Sequence, residues 1–412
     1  MGKAGRHSER VLGDFMKKSV AVGTALVAVA VLSAGSAQAS EKISLRLGGY
    51  SKWWVVGVWE SDSYQGATQT DENSVDVKGD NEIYFQGSTT LDNGLQIGID
   101  IQLEGGGHSV SNSRAANAGA DMIDESYVWL AGGFGKLELG SKNNGAYQLH
   151  VTAPDAAGNW NEEGLMADAL AIPTHISGIS PLQHGWDTTA ILTDNDSEGV
   201  TYFTPSLHGL TLAATYKPSS SEDNRGNVNL STGATAGAVT GEFYALGGLY
   251  AETFNDVGVK LSAGWASYDF NVPSSTSVDT GDDHVFEYSL GGQLSYAGFT
   301  FGSSYRRVLA DRGNLQATAD LDLNAQAWDL GVQYAFDRYA VSMAYYRSEA
   351  SGSDATEARD IIEFYLLSGK YALGPGVDLL ASVGHANYTS EDHQLAEEND
   401  GWTVMSGLSL TF

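Results

Sequence analysis

From Leu95 to Glu104 the chain alternates without a break. Leu95, Ile97, Ile99, Ile101 and Leu103 fall on one side, and Gln96, Gly98, Asp100, Gln102 and Glu104 on the other. A period of two over ten residues predicts a β-strand with one apolar and one polar face. The same alternation recurs in Val257–Ala266, Phe299–Arg306 and Trp402–Phe412. Between such stretches lie short turn signals: Asp92-Asn93-Gly94, Gly132–Gly135, Pro205–Gly209, Asn255-Asp256, Ala297-Gly298, Asp337-Arg338 and Gly374-Pro375-Gly376. Longer polar connections alternate with them, at about 60–79, 105–121, 141–198, 218–240, 271–283, 310–322, 349–358 and 389–400. Seven short turns and eight long loops separate sixteen antiparallel strands, and both ends of the sheet then lie on the short-turn side, where it can close.

The polar faces are rich in Gly, Ser, Asp and Gln, which a soluble sandwich rarely presents over so many strands. A transmembrane barrel inverts the arrangement, with apolar side chains toward lipid and polar ones toward water. Strands of about ten residues, tilted, match the ~25 Å apolar band of such a barrel. Closure satisfies every backbone N–H and C=O, which an open edge in lipid cannot do. Tyr296-Ala297, Tyr334-Ala335 and Tyr371-Ala372 each precede a short turn, as tyrosines of an interfacial girdle would. The expected fold is therefore all-β, a sixteen-stranded antiparallel transmembrane barrel. At that strand number the interior is an aqueous channel rather than a packed core.

Charge narrows the function. The 412 residues hold 51 acidic against 22 basic side chains and no cysteine, for a formal net charge of −29. Such a chain repels nucleic-acid phosphates, and it has no disulfide framework or thiolate site. Met16-Lys17-Lys18, the apolar run Val20–Leu32 and Ala37-Gln38-Ala39 read as a secretory signal peptide over 1–39, with a possible upstream extension before Met16. Residues 40–412 form the expected barrel.

Four features resemble the general porins of Gram-negative outer membranes, most of all the α-proteobacterial type. They are the leader running into Lys42–Tyr50, and Glu125–Leu130 followed by the Gly133-Phe134-Gly135 turn and Lys136–Ser141. The others are the Tyr-Ala hairpins and the terminal Leu408-Ser409-Leu410-Thr411-Phe412. In the family a strand ending in Gly-Arg is usual where Ser141-Lys142 stands here. The resemblance implies an outer-membrane homotrimer, without enzyme activity, whose third loop folds into each lumen as a constriction. It also implies that Leu408, Leu410 and Phe412 form the assembly signal.

The third loop, 141–198, is the longest, and between Asn143 and Glu198 it has carboxylates but no Lys or Arg. In a narrow lumen its Asp155, Glu162, Glu163 and Asp168 would attract cations. Trp160, Leu165, Met166, Leu170 and Ile172 would pack it against the wall. Arg46, Lys52, Lys260 and Arg306 fall on inward faces by parity; Arg46, Lys52 and Arg306 are expected to oppose the loop across the channel, and Lys260 to lie low, near the periplasmic mouth. The pattern leaves the face of the strand Ile361–Tyr371 open, and Glu363 and Lys370 with it. His150, His175 and His184 lack metal-ligand spacing. No cofactor is required, although loop carboxylates could hold Ca²⁺. The leading reading is passive diffusion of ions and small hydrophilic solutes with cation preference, in contact with lipid and lipopolysaccharide. The alternatives are a channel selective for a sugar or small organic solute, with Tyr50 and Trp54 on one inward face, and an outer-membrane enzyme or adhesin.

Overall fold

The computed structural model describes residues 42–70, 73–105, 123–158, 169–173, 188–194, 196–218, 242–269, 284–310, 324–351, 359–391 and 393–412. The leader, Trp160, Glu162, Glu163, Leu165, Met166, Asp168, His175 and His184 lie outside them.

Sixteen strands follow in chain order: β1 (Ser44–Glu60), β2 (Val75–Thr90), β3 (Gln96–Glu104), β4 (Ile123–Gly132), β5 (Gly135–Ser141), β6 (Glu198–Phe203), β7 (Leu210–Lys217) and β8 (Phe243–Phe254). The second half comprises β9 (Val257–Asp269), β10 (His284–Tyr296), β11 (Phe299–Ala310), β12 (Ala325–Phe336), β13 (Tyr339–Ser351), β14 (Arg359–Gly374), β15 (Val377–Thr389) and β16 (Asn399–Thr411). Two short helices, α1 (Asp62–Thr68) and α2 (Gly145–Gln148), sit in the first and third long connections. Each strand pairs antiparallel with its chain neighbours, and β1 pairs with β16 from Tyr50↔Thr411 to Glu60↔Gly401. The seam is finished by reciprocal bonds between Gly49 and Phe412, N–H to carbonyl, at 3.1 Å each.

All seven short turns fall where the turn residues sit. At Asn255-Asp256 both residues have positive φ (46° and 74°), as do Ala297-Gly298 (49° and 86°). This is the mirror-type turn whose twist matches that of the flanking strands. The long connections are trimmed by the strands rather than moved. β2 begins at Val75, inside the expected 60–79 loop, because Val75 and Val77 extend the outward apolar face.

Facing follows parity. On β1, Leu45, Leu47, Trp53, Val55 and Trp59 are exposed while Trp54 and Val56 are buried. Registers carry this parity around the barrel, so exposed Ile, Leu, Val, Phe and Tyr form the outer surface and polar or small side chains face inward. Two belts of rings bound the outer apolar band. Toward the short turns, Phe299 packs on Tyr334 (4.5 Å between centroids) and Tyr339 on Tyr371 (4.7 Å). Toward the long loops, Trp328, Tyr345 and Tyr365 stack in succession at 4.9 and 4.8 Å, and His385 meets Trp402 at 4.9 Å.

Candidate functional site

The third loop is tied to the inward faces of the strands by its own backbone. Asn144 caps α2 by accepting from the Tyr147 N–H (2.9 Å), and its amide donates to the Ile191 carbonyl (2.8 Å) and to Asp194. The chain then crosses the wall strand by strand. Gly145 N donates to Thr215 Oγ1 on β7 (2.8 Å) and Val151 N to Ser262 Oγ on β9 (3.0 Å). Ala153 N donates to Asp329 Oδ1 on β12 (3.2 Å) and Ala156 N to Ser342 Oγ on β13 (2.8 Å). Gln293 Nε2 on β10 donates to the Thr152 carbonyl (2.8 Å). A loop has no ladder partner, so these wall hydroxyls and carboxylates satisfy groups that would otherwise be buried and unpaired.

So close an approach needs a wall without side chains. A Cβ at Gly291 would stand 1.8 Å from the Val151 carbonyl oxygen, and one at Gly302 2.8 Å from that of Thr152. Gly247, Gly264 and Gly331 likewise meet Gly145, Ala146 and Ala153. Leu170 docks at Gly401 on β16, and with Ala153 and Ala157 it joins inward-facing Trp54, Val56, Phe364, Leu366 and Met405 in one apolar cluster, with Ile172 packed at its edge. Nearby, Ala171 N donates to Glu60 Oε1 (2.5 Å) and its carbonyl accepts from Asn399 (2.7 Å).

The expected basic residues are inward, and two of them, Arg306 and Lys52, are held by carboxylates. Arg306 is buried and grips Glu287 through Nε (2.8 Å) and Nη2 (2.7 Å) while donating to Thr193 Oγ1 of the loop (3.2 Å). Lys52 lies beside Asp80 at 3.4 Å and over the Tyr50 ring at 4.5 Å. Lys78, Lys136 and Lys142 lie beside Asp76, Glu138 and Glu125 at 3.1, 2.6 and 2.5 Å, and Lys217 meets Asp194 at 2.5 Å. The reason is desolvation: a buried or half-buried cation needs an adjacent carboxylate, on the wall or, for Lys217, in the loop. Lys260 faces inward near the 255–256 turn and Arg46 near the short-turn end of β1; both are exposed. Asp155 accepts from Ala157 N (3.1 Å) and Ser342 Oγ (3.3 Å), holding its own turn to β13.

Toward the long loops, the β2–β4 wall gathers carboxylates. Glu82, Glu104 and Asp124 bring carboxylate oxygens within 4.8 Å of one another. Tyr50 OH lies within reach of Asp80 (2.9 Å) and Glu82 (2.7 Å). Among the described residues, the carboxylates close enough to share an ion are therefore on this wall and not in the third loop.

The sequence profile described as Gram-negative porin matches residues 24–391. The chain belongs to that family. It is 22% identical over 374 residues to a monosaccharide porin of a Halomonas species and to the major outer membrane protein of Halomonas elongata, each match covering 84% of this chain and 88% of the relative. An anion-selective porin from Comamonas acidovorans has the same fold, with a TM-score of 0.58 at 14% identity, over 90% of this chain and 100% of that one. The protein is thus an outer-membrane channel rather than an enzyme.

Within this porin, the carboxylates that the loop-centred reading passed over are those of β2–β4. Their signal was available: Asp80, Glu82, Gln86, Asp100 and Glu104 share the parity of the polar face. Register also settles the strand left open. Glu363 points outward with Arg347, at 2.8 Å, beyond the upper ring belt, while Lys370 points inward. On the outer face Arg347 also pairs with Glu349 at 2.7 Å, a depth at which charges cost little. Leu408 and Leu410 face outward, and Phe412 is exposed at the closed seam.

Proposed function

We infer that this porin is a water-filled diffusion channel for ions and small hydrophilic solutes, prefers cations, and works as a homotrimer with its third loop narrowing each lumen. The observation that carries the cation preference is the inward face of β2–β4. There Glu82, Glu104 and Asp124 converge within 4.8 Å of one another. Like charges in a passage walled by low-dielectric protein focus the field toward cations. The loop's bonds to wall residues of β7, β9, β12 and β13 support its place inside the barrel. Fold does not set the sign of selectivity, since a porin of the same architecture is anion-selective.

The test is ion selectivity in planar bilayers. Neutralising Glu82, Glu104 and Asp124 to their amides lowers the cation/anion permeability ratio. Neutralising Asp155, Glu162, Glu163 and Asp168 lowers it as well if the loop carries the constriction. If neither set changes the ratio, the charges named here do not line the path.

A second reading, a sugar-selective channel, is favoured by the aromatic side chains on the inward wall. Tyr50, Tyr84, Tyr127 and Trp129 fall on inward positions of β1, β2 and β4, and one relative is a monosaccharide porin.

A further inference from the structure

At the seam of the barrel, β1 outruns its partner. Its pairing with β16 starts at Tyr50↔Thr411 and is finished by the reciprocal bonds of Gly49 and Phe412. Its pairing with β2 continues down to Ser44↔Ser88. Ser44–Gly48 therefore project past the end of β16 on the short-turn side, by about 16 Å of strand at ~3.3 Å per residue.

The open side of this projection has a definite chemistry. In an antiparallel strand, alternate residues turn both backbone groups to the same neighbour. Gly49 turns its N–H and C=O to Phe412, so Leu47 and Leu45 turn theirs the same way, where no described strand meets them. Gly48, Arg46 and Ser44 turn theirs to β2. The Leu45 and Leu47 side chains lie on the outward face and are 63% and 68% exposed, against 46% for Trp53 and 56% for Val55 higher on the same strand. Arg46 stands on the other face, and Lys42 just precedes the strand. Both are exposed, and neither has a carboxylate partner among the described residues. Such an edge cannot lie bare in hydrocarbon, where its N–H and C=O groups would go unpaired. Its place is the aqueous boundary on the short-turn side, which in a barrel of this class is periplasmic.

We propose that the projecting edge Ser44–Gly48 is a strand-addition site for an extended segment of a periplasmic protein, apolar at alternate positions and acidic between them. The inference goes beyond the diffusion-channel reading and does not depend on which ions the lumen passes. The added strand lies beside β1 in the lane that β16 leaves below Phe412. Its backbone exchanges hydrogen bonds with Leu45 and Leu47, which gives affinity, and its side chains give specificity. Those on the outward face lie beside Leu45 and Leu47 and are therefore apolar. Those on the other face lie beside Arg46 and Lys42 and are therefore carboxylates, since opposite charges across a strand pair attract. A second copy of this chain matches the edge poorly: two such edges laid together would set the cations of one against the cations of the other.

The test uses the protein purified from outer membranes in detergent micelles. The probe is a fluorescent heptapeptide of alternating valine and glutamate, and a valine–lysine heptapeptide is the comparison. Binding is read together with amide hydrogen exchange at Leu45 and Leu47. The glutamate peptide binds saturably and slows exchange at both amides, while the lysine peptide binds about tenfold more weakly. Leu47→Pro removes an N–H offered to the partner and spares the bonds to β2, which come from Gly48 and Arg46. It abolishes peptide binding and leaves the barrel heat-modifiable. Arg46→Gln, which keeps every backbone group, weakens the glutamate peptide by about threefold and leaves the lysine peptide no weaker. Equal binding of the two peptides, or exchange at Leu45 and Leu47 that the glutamate peptide leaves unchanged, overturns the proposal. Exchange that is already slow without peptide, and slows further as protein concentration rises, overturns it too and assigns the edge to a second copy.

Discussion

The wall of β7–β13 and the wall of β1–β4 face one lumen but are built from different residues. The first presents Gly247, Gly264, Gly291, Gly302 and Gly331 among Ser262, Ser304 and Ser342, and the third loop lies on it. The second presents Asp80, Glu82, Asp100, Glu104, Tyr50 and Trp129, and the loop meets this wall at its margins, through Lys142 and Asn143 on Glu125 and Ala171 on Glu60. The same period-two alternation produces both. The difference lies in side-chain volume: where the loop must come within van der Waals distance the inward positions are shaved to glycine or short hydroxyls. On the β1–β4 wall they carry charge and rings. On the proposed function, steric control would be anchored on one side and chemical control on the other.

Breaking the covered wall gives the largest effects. Arg306→Ala leaves Glu287, whose side chain is fully buried, without its cation. Removing one partner of a buried pair costs about 3–5 kcal/mol. It also cuts the bond to Thr193. Thermal melting of the detergent-solubilised barrel should drop accordingly, and an unshifted transition would show that the pair does not hold the loop.

Gly291→Val is a milder break. The β-branched side chain suits a strand, but its Cβ occupies the place of the Val151 carbonyl. Overpacking of this kind costs about 1–3 kcal/mol, borne by the loop rather than by the barrel. Single-channel conductance should rise and limited proteolysis should cut the loop, while the barrel remains heat-modifiable. Conductance equal to that of the wild type would mean the loop does not narrow the path.

A smaller effect sharpens the comparison through pH. His150 bonds through Nε2 to Thr189 Oγ1 (3.0 Å), and burial, with a contribution from Arg306, lowers its pKa to about 4. Released from the wall, the imidazole would return to its ordinary value of about 6.5. The docked loop thus binds fewer protons than the released loop between these values. Docking is at full strength above about 6.5 and weakens as pH falls toward 4. Open-channel noise should grow across that window and lose its pH dependence in His150→Gln. Noise that grows identically in the variant would assign the effect to another group.

Much of the barrel was legible in the sequence because it is written locally. Turn residues such as Asn255-Asp256 and Ala297-Gly298 need positive φ, and alternation reports facing directly. The strand β14 was not legible for a physical reason: Ile362, Phe364 and Leu366 face inward yet are apolar, because the loop covers them together with Tyr346 and Leu380. With both faces apolar, parity has nothing to read. The inward direction of Arg46, Lys52 and Arg306 was legible. Their ion pairs were not, since Lys52–Asp80 and Arg306–Glu287 depend on cross-strand register. The acidic cluster of Glu82, Glu104 and Asp124 also needs register, with an irregularity between Ile101 and Leu103.

The most direct measurement is the reversal potential of the reconstituted porin under a KCl gradient, in dilute salt and then near 1 M. Wall carboxylates act over about a Debye length, ~10 Å at 0.1 M and ~3 Å at 1 M. The expected result is a potential of cation-selective sign in dilute salt that shrinks at high salt, and that shrinks in dilute salt when Glu82, Glu104 and Asp124 are neutralised. A potential of anion-selective sign, or one indifferent to both salt and these substitutions, would contradict the account.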